Sequence, residues 1–353
     1  MSLHFISSND LLALVRKLLN ESAVVAPVEY NKRNILENIT LENAGNINLS
    51  GFRSVEPFKS YIFSLIEKVS TYFGKNAELQ RKKLTIIGAR GCDLEALEVL
   101  DKVFGEGDFK DPFYINNRAD MLIIGADCTD CGDTCFCTTV KGKPYPEKLY
   151  DINLSPALGG FVAEDATEKG TKLIKENPDL FTEATDIHLN ERESNRKKVI
   201  DLLEEKNSKF RLKIKLSESH KANLKNKVWK TLTKDCVECS ACNFICPTCS
   251  CFLLHDQAKD KDEDKKCERH KVWDACLKAS YAKVAGGANP RGKLYERLQN
   301  RYHCKFDYSF DRLNRYTCVG CGRCIDGCAG NIDMRKIFME LERQAPLTAI
   351  LLE

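Results

Sequence analysis

The chain of 353 residues is long enough for two domains, each with a core large enough to fold without staples. Its 54 basic and 51 acidic residues nearly cancel to a net charge of +3, and no basic stripe is interleaved with aromatics, so nucleic-acid binding is not expected. No apolar run approaches the length of about 20 residues that spans a bilayer. The N-terminal stretch MSLHFISSNDLLALVRKLL lacks the features of a signal peptide. We therefore expect a soluble, cytoplasmic protein with no role at a membrane, which keeps its 18 cysteines as thiolates for metal.

Two short apolar runs in the first half predict neighbouring buried strands. KLTIIGARGCD and DMLIIGADCTD are rich in Ile and Leu, and each closes on small residues and a polar loop with a cysteine. Between them, residues 93–104 carry apolar side chains at helical spacing behind the capping residue Asp93. This strand–helix–strand unit predicts an N-terminal α/β domain with a partly parallel sheet, which we place at residues 1–215.

The second half has a different pattern. Residues 195–232 are strongly charged with helical periodicity, which predicts helices that link the two halves. Beyond them, short helices and loops are expected around cysteine motifs, and no alternating strand pattern stands out. The sequence therefore predicts an α+β protein whose second domain, residues 216–353, is mainly helical.

Two matched cysteine motifs carry the strongest chemical signal. CVECSACNFICP and CVGCGRCIDGCAG both have the spacing C-x2-C-x2-C-x3-C of ferredoxins with two [4Fe-4S] clusters. In that spacing, three thiolates bind one cluster and the fourth cysteine of each motif binds the other cluster. We therefore predict that the ligands of cluster 1 are Cys236, Cys239, Cys242 and Cys328. Those of cluster 2 are Cys318, Cys321, Cys324 and Cys246.

The long insertion between the motifs favours a helical ferredoxin-like domain over the compact bacterial form. A zinc ribbon is a weaker alternative, because it needs two C-x2-C pairs and has no use for the third and fourth cysteine of each motif. Disulfides are weaker still. The sequence contains no G-x-G-x-x-G after a strand, no Walker loop and no H-E-x-x-H, and its histidines are scattered singly. We therefore predict no catalytic residues in this chain.

Several stretches in order resemble a known family, the beta subunit of cytoplasmic sulfhydrogenases and the A subunit of anaerobic sulfite reductases. They span residues 53–333 and read RSVEPFKSYIF, GARGCDLEALEVLDKVF, DPFYINNRADMLIIGADC, TCFC, CPTCSC, GGANPRGKLYERLQNRY and CVGCGRCIDGC. The resemblance implies an iron–sulfur subunit of an anaerobic oxidoreductase. Such a subunit passes electrons between a flavin subunit that handles NAD(P)H and a partner with the terminal catalyst. That partner is a nickel–iron hydrogenase, a sulfite reductase or another reductase. The chain departs from the family pattern at Cys131, where a residue other than cysteine is expected, and at Cys304, where the family more often has a histidine before the lysine.

The cysteines of the first half predict a third site. Cys92 and Cys128 each follow a predicted strand, and parallel pairing brings both to the carboxyl edge of the sheet, where α/β folds form sites. The loop TDCGDTCFC adds three more thiols within reach of that edge. Because Cys131 falls outside the family resemblance, we predict a possible third [4Fe-4S] cluster on Cys92, Cys128, Cys135 and Cys137. The alternatives are redox thiols and buried inert cysteines.

Cys267, Cys276 and Cys304 have no partner at metal spacing, and we predict that they pack as small, inert thiols. Cys249 and Cys251, in CPTCSC, either lie beside the ligands of a cluster or, by default, pack as inert thiols in the same way. The leading functional hypothesis is thus an electron-transfer subunit without its own substrate. The alternative is an oxidoreductase subunit with a flavin or deazaflavin site at the carboxyl edge of the N-terminal sheet. A structural zinc module is a third hypothesis.

Overall fold

The computed structural model of the chain describes residues 3–72, 79, 83–258 and 267–344. The chain divides into two compact units. The first unit consists of Met1–Phe63, Gln80–Lys206 and Val319–Cys321. The second unit consists of Ser64–Leu79, Asn207–Cys318 and Gly322–Glu353.

The strands are β1 (Leu3–Ser7), β2 (Ala23–Tyr30), β3 (Arg33–Ile39), β4 (Ile66–Thr71), β5 (Leu84–Ala89), β6 (Met121–Ala126), β7 (Ile152–Ala157), β8 (Gly160–Asp165), β9 (Thr182–Glu183), β10 (Phe252–Ala258) and β11 (Cys267–Trp273). The helices are α1 (Ser8–Leu18), α2 (Gly91–Phe104), α3 (Pro112–Ala119), α4 (Glu168–Lys175), α5 (Asp186–Asn207), α6 (Leu216–Ala222), α7 (Val228–Leu232), α8 (Ala241–Phe244), α9 (Leu294–Phe306), α10 (Tyr308–Leu313), α11 (Arg323–Asp326) and α12 (Met334–Gln344). Short 3-10 helices lie at Ala44–Asn46, Phe58–Tyr61, Cys137–Val140, Pro178–Leu180 and Ser208–Phe210.

An eight-stranded mixed sheet forms the first unit, in the order β3-β2-β5-β6-β7-β8-β1-β9. Its centre, from β2 through β5 and β6 to β7, is parallel, and the flanking pairs are antiparallel. The runs LTIIGA and MLIIGA form the adjacent parallel strands β5 and β6, with Ile86 opposite Ile123. β-branched side chains suit such strands, which are buried on both faces. The predicted α/β architecture with a partly parallel sheet is confirmed.

Helices close the core of the first unit. The N-cap Ser7 of α1 accepts a hydrogen bond from the Asp10 amide at 3.1 Å, and Leu14, Val15 and Leu18 of this helix are buried in the core of the sheet. The crossover helix α2 begins two residues before Asp93, whose carboxylate accepts a hydrogen bond from the Arg90 amide at 3.4 Å. The first turn of α2 therefore starts where β5 ends, at the carboxyl edge of the sheet.

The second unit is mainly helical, as predicted, and its core is aromatic. His220, Trp229, Tyr302, Phe306 and Phe338 pack together, with ring centroids 4.8–6.2 Å apart in neighbouring pairs. In the described ranges, every helix of either unit is too short or too polar to cross a membrane.

A three-stranded antiparallel sheet in the second unit, in the order β10-β11-β4, was not predicted. Residues of β10 pair with β11 from Phe252 opposite Trp273 to Ala258 opposite Cys267. Nearly all of β10 is exposed, including Phe252, Leu253 and Leu254. Because the strand buries neither face, its sequence shows no alternation of polar and apolar residues from which a strand could be recognised.

Candidate metal centres

The first cysteine motif winds tightly through the second unit. Cys236 and Cys239 lie in the loop before α8, and Cys242 lies inside that short helix. Glu238 and Ser240 adopt left-handed backbone conformations with φ of +56° and +60°. These are unusual for residues with a side chain, so the loop is held in a sharply curved form that turns successive thiols toward one point.

These thiols line a cavity together with the last cysteine of the second motif. Its wall contains Cys236, Cys239, Cys242, Cys324 and Cys328, and otherwise mostly apolar side chains such as Leu277, Leu298, Ile332 and Met334. The structure thus brings together the four residues predicted for cluster 1, including Cys328 from the other motif. Cys324, which we predicted for cluster 2, also borders this cavity.

The burial of the cysteines in this cavity and the nearby positive charge of Arg301 suit a metal centre held by thiolates. Burial raises the pKa of Cys242, while the nearby Arg301 guanidinium lowers it and the neighbouring thiol Cys328 raises it. Burial likewise raises the pKa of Cys236. The free thiols of Cys236 and Cys242 are therefore neutral at pH 7, and metal binding has to displace their protons. Arg301 is only 3% exposed, and its buried positive charge offsets the negative charge of thiolate ligands.

The four cysteines predicted for cluster 2 do not all belong to the same unit. Cys246, Cys318 and Cys324 belong to the second unit, whereas Cys321 is grouped with the first. Cys246 is buried, and its sulfur lies 3.3 Å from the Thr248 hydroxyl oxygen. The Cys318 sulfur lies 3.9 Å from the sulfur of Met334. Assignment of these four cysteines to one cluster stays a prediction from the motif spacing.

A second cysteine-lined cavity lies in the first unit, at the carboxyl edge of its sheet. Cys92 is in the first turn of α2, directly after β5, and Cys128 follows the end of β6 by two residues. All five cysteines of this half line the cavity, namely Cys92, Cys128, Cys131, Cys135 and Cys137. The structure therefore brings together the four predicted ligands and also the excluded Cys131, which is 3% exposed. Val199 and Leu203 of α5 pack against Cys131, Cys135 and Cys137.

The segment Val319–Cys321 forms one wall of this cavity. The Phe136 amide donates to the Gly320 carbonyl at 2.8 Å, and Val319 and Cys321 pack against Cys92 and Ala96. Gly320 has a φ of +63°, and a Cβ atom built there would lie 2.5 Å from the Cys137 Cα atom. Only glycine allows this approach, which brings a cysteine of the second motif to the thiols of the first unit.

Cys128, Cys131 and Cys137 of this second cavity are also neutral thiols when no metal is bound, because burial raises the pKa of each. Burial raises the pKa of Cys128 to about 12, against the opposing charge of Arg90. Burial likewise raises the pKa of Cys131 to about 11, although Lys206 lowers it in part. A buried set of soft sulfur donors with cations close by suits iron–sulfur or another thiophilic metal chemistry better than hard cations.

Outside these cavities, four of the cysteines that we predicted to be inert thiols lie near one another. Cys249, Cys251, Cys276 and Cys304 lie in the second unit, and shared polar neighbours connect them. Cys267 lies apart from them, at the start of β11. Among the described residues, no group of three or more His, Cys, Asp or Glu side chains has the arrangement that holds a metal ion. A four-iron cluster takes more space than an ion, so that finding concerns single-ion sites.

The fold and the thiol-lined cavity of the second unit define an iron–sulfur protein. Residues 235–332 match the family model of the 4Fe-4S dicluster domain, which supports two [4Fe-4S] clusters. The chain is 30% identical over 264 residues to the sulfhydrogenase 2 subunit beta of Pyrococcus furiosus, covering 73% of this chain and 74% of that protein. The chain belongs to this family of sulfhydrogenase beta subunits, as the sequence motifs indicated. No solved structure matches it.

Proposed function

We propose that this chain relays single electrons between a flavin subunit that handles NAD(P)H and a catalytic subunit, either a hydrogenase or a reductase. The observation that carries the proposal is the cavity of the second unit, which is lined by the four cysteines predicted for cluster 1, by Cys324 and by mostly apolar side chains. The relative from Pyrococcus furiosus is named as one subunit of a sulfhydrogenase, which supports partner subunits for this chain as well. The chain itself contributes no catalytic residue in this proposal.

The ligand sets of the proposal follow the motif spacing. Cluster 1 is held by Cys236, Cys239, Cys242 and Cys328, and cluster 2 by Cys318, Cys321, Cys324 and Cys246. A third cluster is held in the first unit by Cys92, Cys128, Cys135 and Cys137, all of which line the same cavity. Bound there, such clusters accept and release one electron at a time. The residues of this chain hold the metal through thiolates, exclude water with apolar side chains and offset negative charge with Arg301.

The exchange of the fourth ligand between motifs gives the sharpest test. In the full chain purified without oxygen, we expect Cys328→Ser to alter the cluster of the first motif and Cys246→Ser to alter that of the second. Electron paramagnetic resonance of the reduced protein distinguishes the two signals. Cys267→Ser is the matched control, because this cysteine belongs to neither motif. If each substitution changed only the cluster of its own motif, the crossed assignment would be wrong.

The third cluster is tested by iron and acid-labile sulfide per chain. Cys135→Ser should lower the iron content by about four irons per chain, which is one cluster, while the signals of clusters 1 and 2 persist. Cys131→Ser tests whether Cys131 takes the place of one of the four predicted ligands, because Cys131 lines the same cavity. We expect it to leave the iron content unchanged. Equal iron content in Cys135→Ser and the wild type would remove the third cluster from the proposal.

The alternative function is a flavin or deazaflavin site in the first unit, at the carboxyl edge of the parallel strands, where α/β sheets bind ligands. Visible absorption of the purified chain before and after denaturation distinguishes the two functions. Relay by clusters alone predicts that the brown absorption bleaches and leaves a colourless solution. Release of a yellow chromophore would favour the alternative.

A further inference from the structure

Four cysteines that belong to neither motif lie close together in the second unit. Asn243, a residue of α8 that is 2% exposed, lies between two of them. Its side-chain amide donates to the Cys276 sulfur at 3.1 Å and to the Cys249 sulfur at 3.8 Å. One amide nitrogen therefore has two thiols within about 4 Å, although Cys249 and Cys276 are 27 positions apart in the sequence.

The other two thiols join this pair through Tyr281. The Tyr281 hydroxyl donates to the Cys251 sulfur at 3.4 Å, and it also interacts electrostatically with Cys276 and Cys304. Cys276 itself interacts with both Cys251 and Cys304. Asn243 and Tyr281 thus donate hydrogen bonds to three of the four sulfurs, and such donors stabilise the thiolate ligands of a cluster.

Two buried cations face these thiols. Lys305 and Arg301 are each 3% exposed, and buried charges are normally paired with an opposite charge. In the described part of the chain, neither is paired with a carboxylate. The Lys305 ammonium donates to the Thr248 hydroxyl at 2.6 Å, and Arg301 donates to the Cys249 sulfur at 3.5 Å. Each cation interacts with Cys249 and also with a predicted ligand of cluster 1 or 2, Cys242 for Arg301 and Cys246 for Lys305. Thiolates bound to metal on both sides would supply the negative charge that these cations lack.

We propose that Cys249, Cys251, Cys276 and Cys304 bind an additional [4Fe-4S] cluster in the second unit. An iron–sulfur cluster fits better than zinc, because no group of three or more His, Cys, Asp or Glu side chains in the described ranges is arranged to hold a single metal ion, whereas a four-iron cluster takes more space. The pair Cys249–x–Cys251 supplies two ligands from one loop, and the second pair comes from the loop after β11 and from α9. Cys304 is exposed, so this cluster lies at the surface of its unit, within reach of an electron donor or acceptor.

The first experiment measures iron, sulfide and zinc in the full chain prepared without oxygen. We expect Cys251→Ser and Cys276→Ser each to lose about four irons and four sulfides relative to the wild type. The signals of clusters 1 and 2 in electron paramagnetic resonance should persist in both variants. Cys267→Ser, the matched control outside the group, should lose none. Unchanged iron in both variants would overturn the proposal, and so would loss of zinc in place of iron.

A second variant keeps the proposal testable if these substitutions prevent folding. Tyr281→Phe removes only the hydroxyl that donates to Cys251, at a position that is 37% exposed and tolerant of the change. Hydrogen bonds to ligand sulfurs stabilise the reduced cluster, so their loss lowers its reduction potential. We expect a redox titration of the full chain to show one signal shifted to lower potential with the iron content unchanged. Identical titrations of Tyr281→Phe and wild type would contradict the site. The relay function does not depend on this result, since the two dicluster signals are followed separately.

Discussion

The cysteine sites of the two units are built in opposite ways. In the second unit, three thiols of the first motif lie within seven consecutive residues, Cys236 to Cys242, and a loop with left-handed residues turns them inward. In the first unit, Cys92 and Cys128 come from different βα connections, and only the parallel pairing of β5 with β6 brings them to one edge. The comparison shows that one site depends on local chain geometry and the other on the register of a sheet.

The arginine side chains near the two sites also differ in the groups that they contact. In the first unit, the buried Arg90 donates to backbone carbonyls, including that of Leu49 at 2.7 Å, and Arg196 is paired with Asp127 at 2.7 Å. In the second unit, the buried Arg301 donates to a sulfur atom. Arg90 and Arg196 of the first unit are therefore held mainly by backbone and carboxylate oxygens, while Arg301 of the second unit is positioned to neutralise metal-bound thiolates.

The largest effect is expected at Gly320, which closes the sheet-dependent site. In Gly320→Ala, the new Cβ would lie 2.5 Å from the Cys137 Cα atom, at a φ of +63°. Strained backbone and overpacking together should lower the free energy of unfolding by about 3 kcal/mol. Denaturant unfolding measures this loss, and iron analysis should show that the cluster of the first unit is lost with it.

Gly159→Ala is the matched control for that variant. Its φ is +80°, but a Cβ there would meet nothing within 4 Å. Only the backbone strain of about 1 kcal/mol should remain, with iron content unchanged. Equal losses in the two variants would mean that the close approach of Gly320 to Cys137 contributes nothing to stability.

A smaller effect on the free energy of unfolding is expected from His220, in the aromatic core of the second unit. This ring is fully buried, stacks on Tyr302 at 5.5 Å between centroids, and its Nδ1 lies 3.2 Å from the Leu216 carbonyl oxygen. Burial, with a smaller contribution from His303, lowers its pKa to about 3. Unfolded His220 binds a proton near pH 6.5, so its contribution to stability is present above that pH and is lost as pH falls toward 3.

We therefore expect His220→Phe to flatten the acid side of the stability profile. Between pH 7 and pH 5, the wild type should lose about 2 kcal/mol more unfolding free energy than the variant. Urea unfolding at both pH values, without oxygen, measures the difference. Parallel losses in the two proteins would show that His220 is not held neutral by the fold.

Sequence reasoning succeeded where the determinants are local or where strands are buried on both faces. The continuous apolar runs of β5 and β6 indicated strands, their order indicated parallel pairing, and the two cysteine motifs indicated a dicluster domain. The strand β10 was missed because it is exposed on both faces. The group Cys249, Cys251, Cys276 and Cys304 was missed because its members come from separate segments. The only local signal was the surplus of cysteines in CPTCSC, directly after a complete motif.

The smallest predicted effect concerns Arg301, the buried cation that distinguishes the site of the second unit. It lines the cavity of cluster 1, and its guanidinium lowers the pKa of Cys242 against the opposing effect of burial. Removing this positive charge in Arg301→Gln disfavours the more negative, reduced state of a nearby cluster. We expect the reduction potential to fall by about 60 mV, which is tenfold in the equilibrium for one electron. A redox titration followed by electron paramagnetic resonance measures this shift.

Arg301→Lys keeps the charge and should restore most of the potential, which separates an electrostatic role from mere packing. A potential lowered equally by Gln and Lys would assign Arg301 to packing, and the electrostatic contrast between the two units would then be wrong.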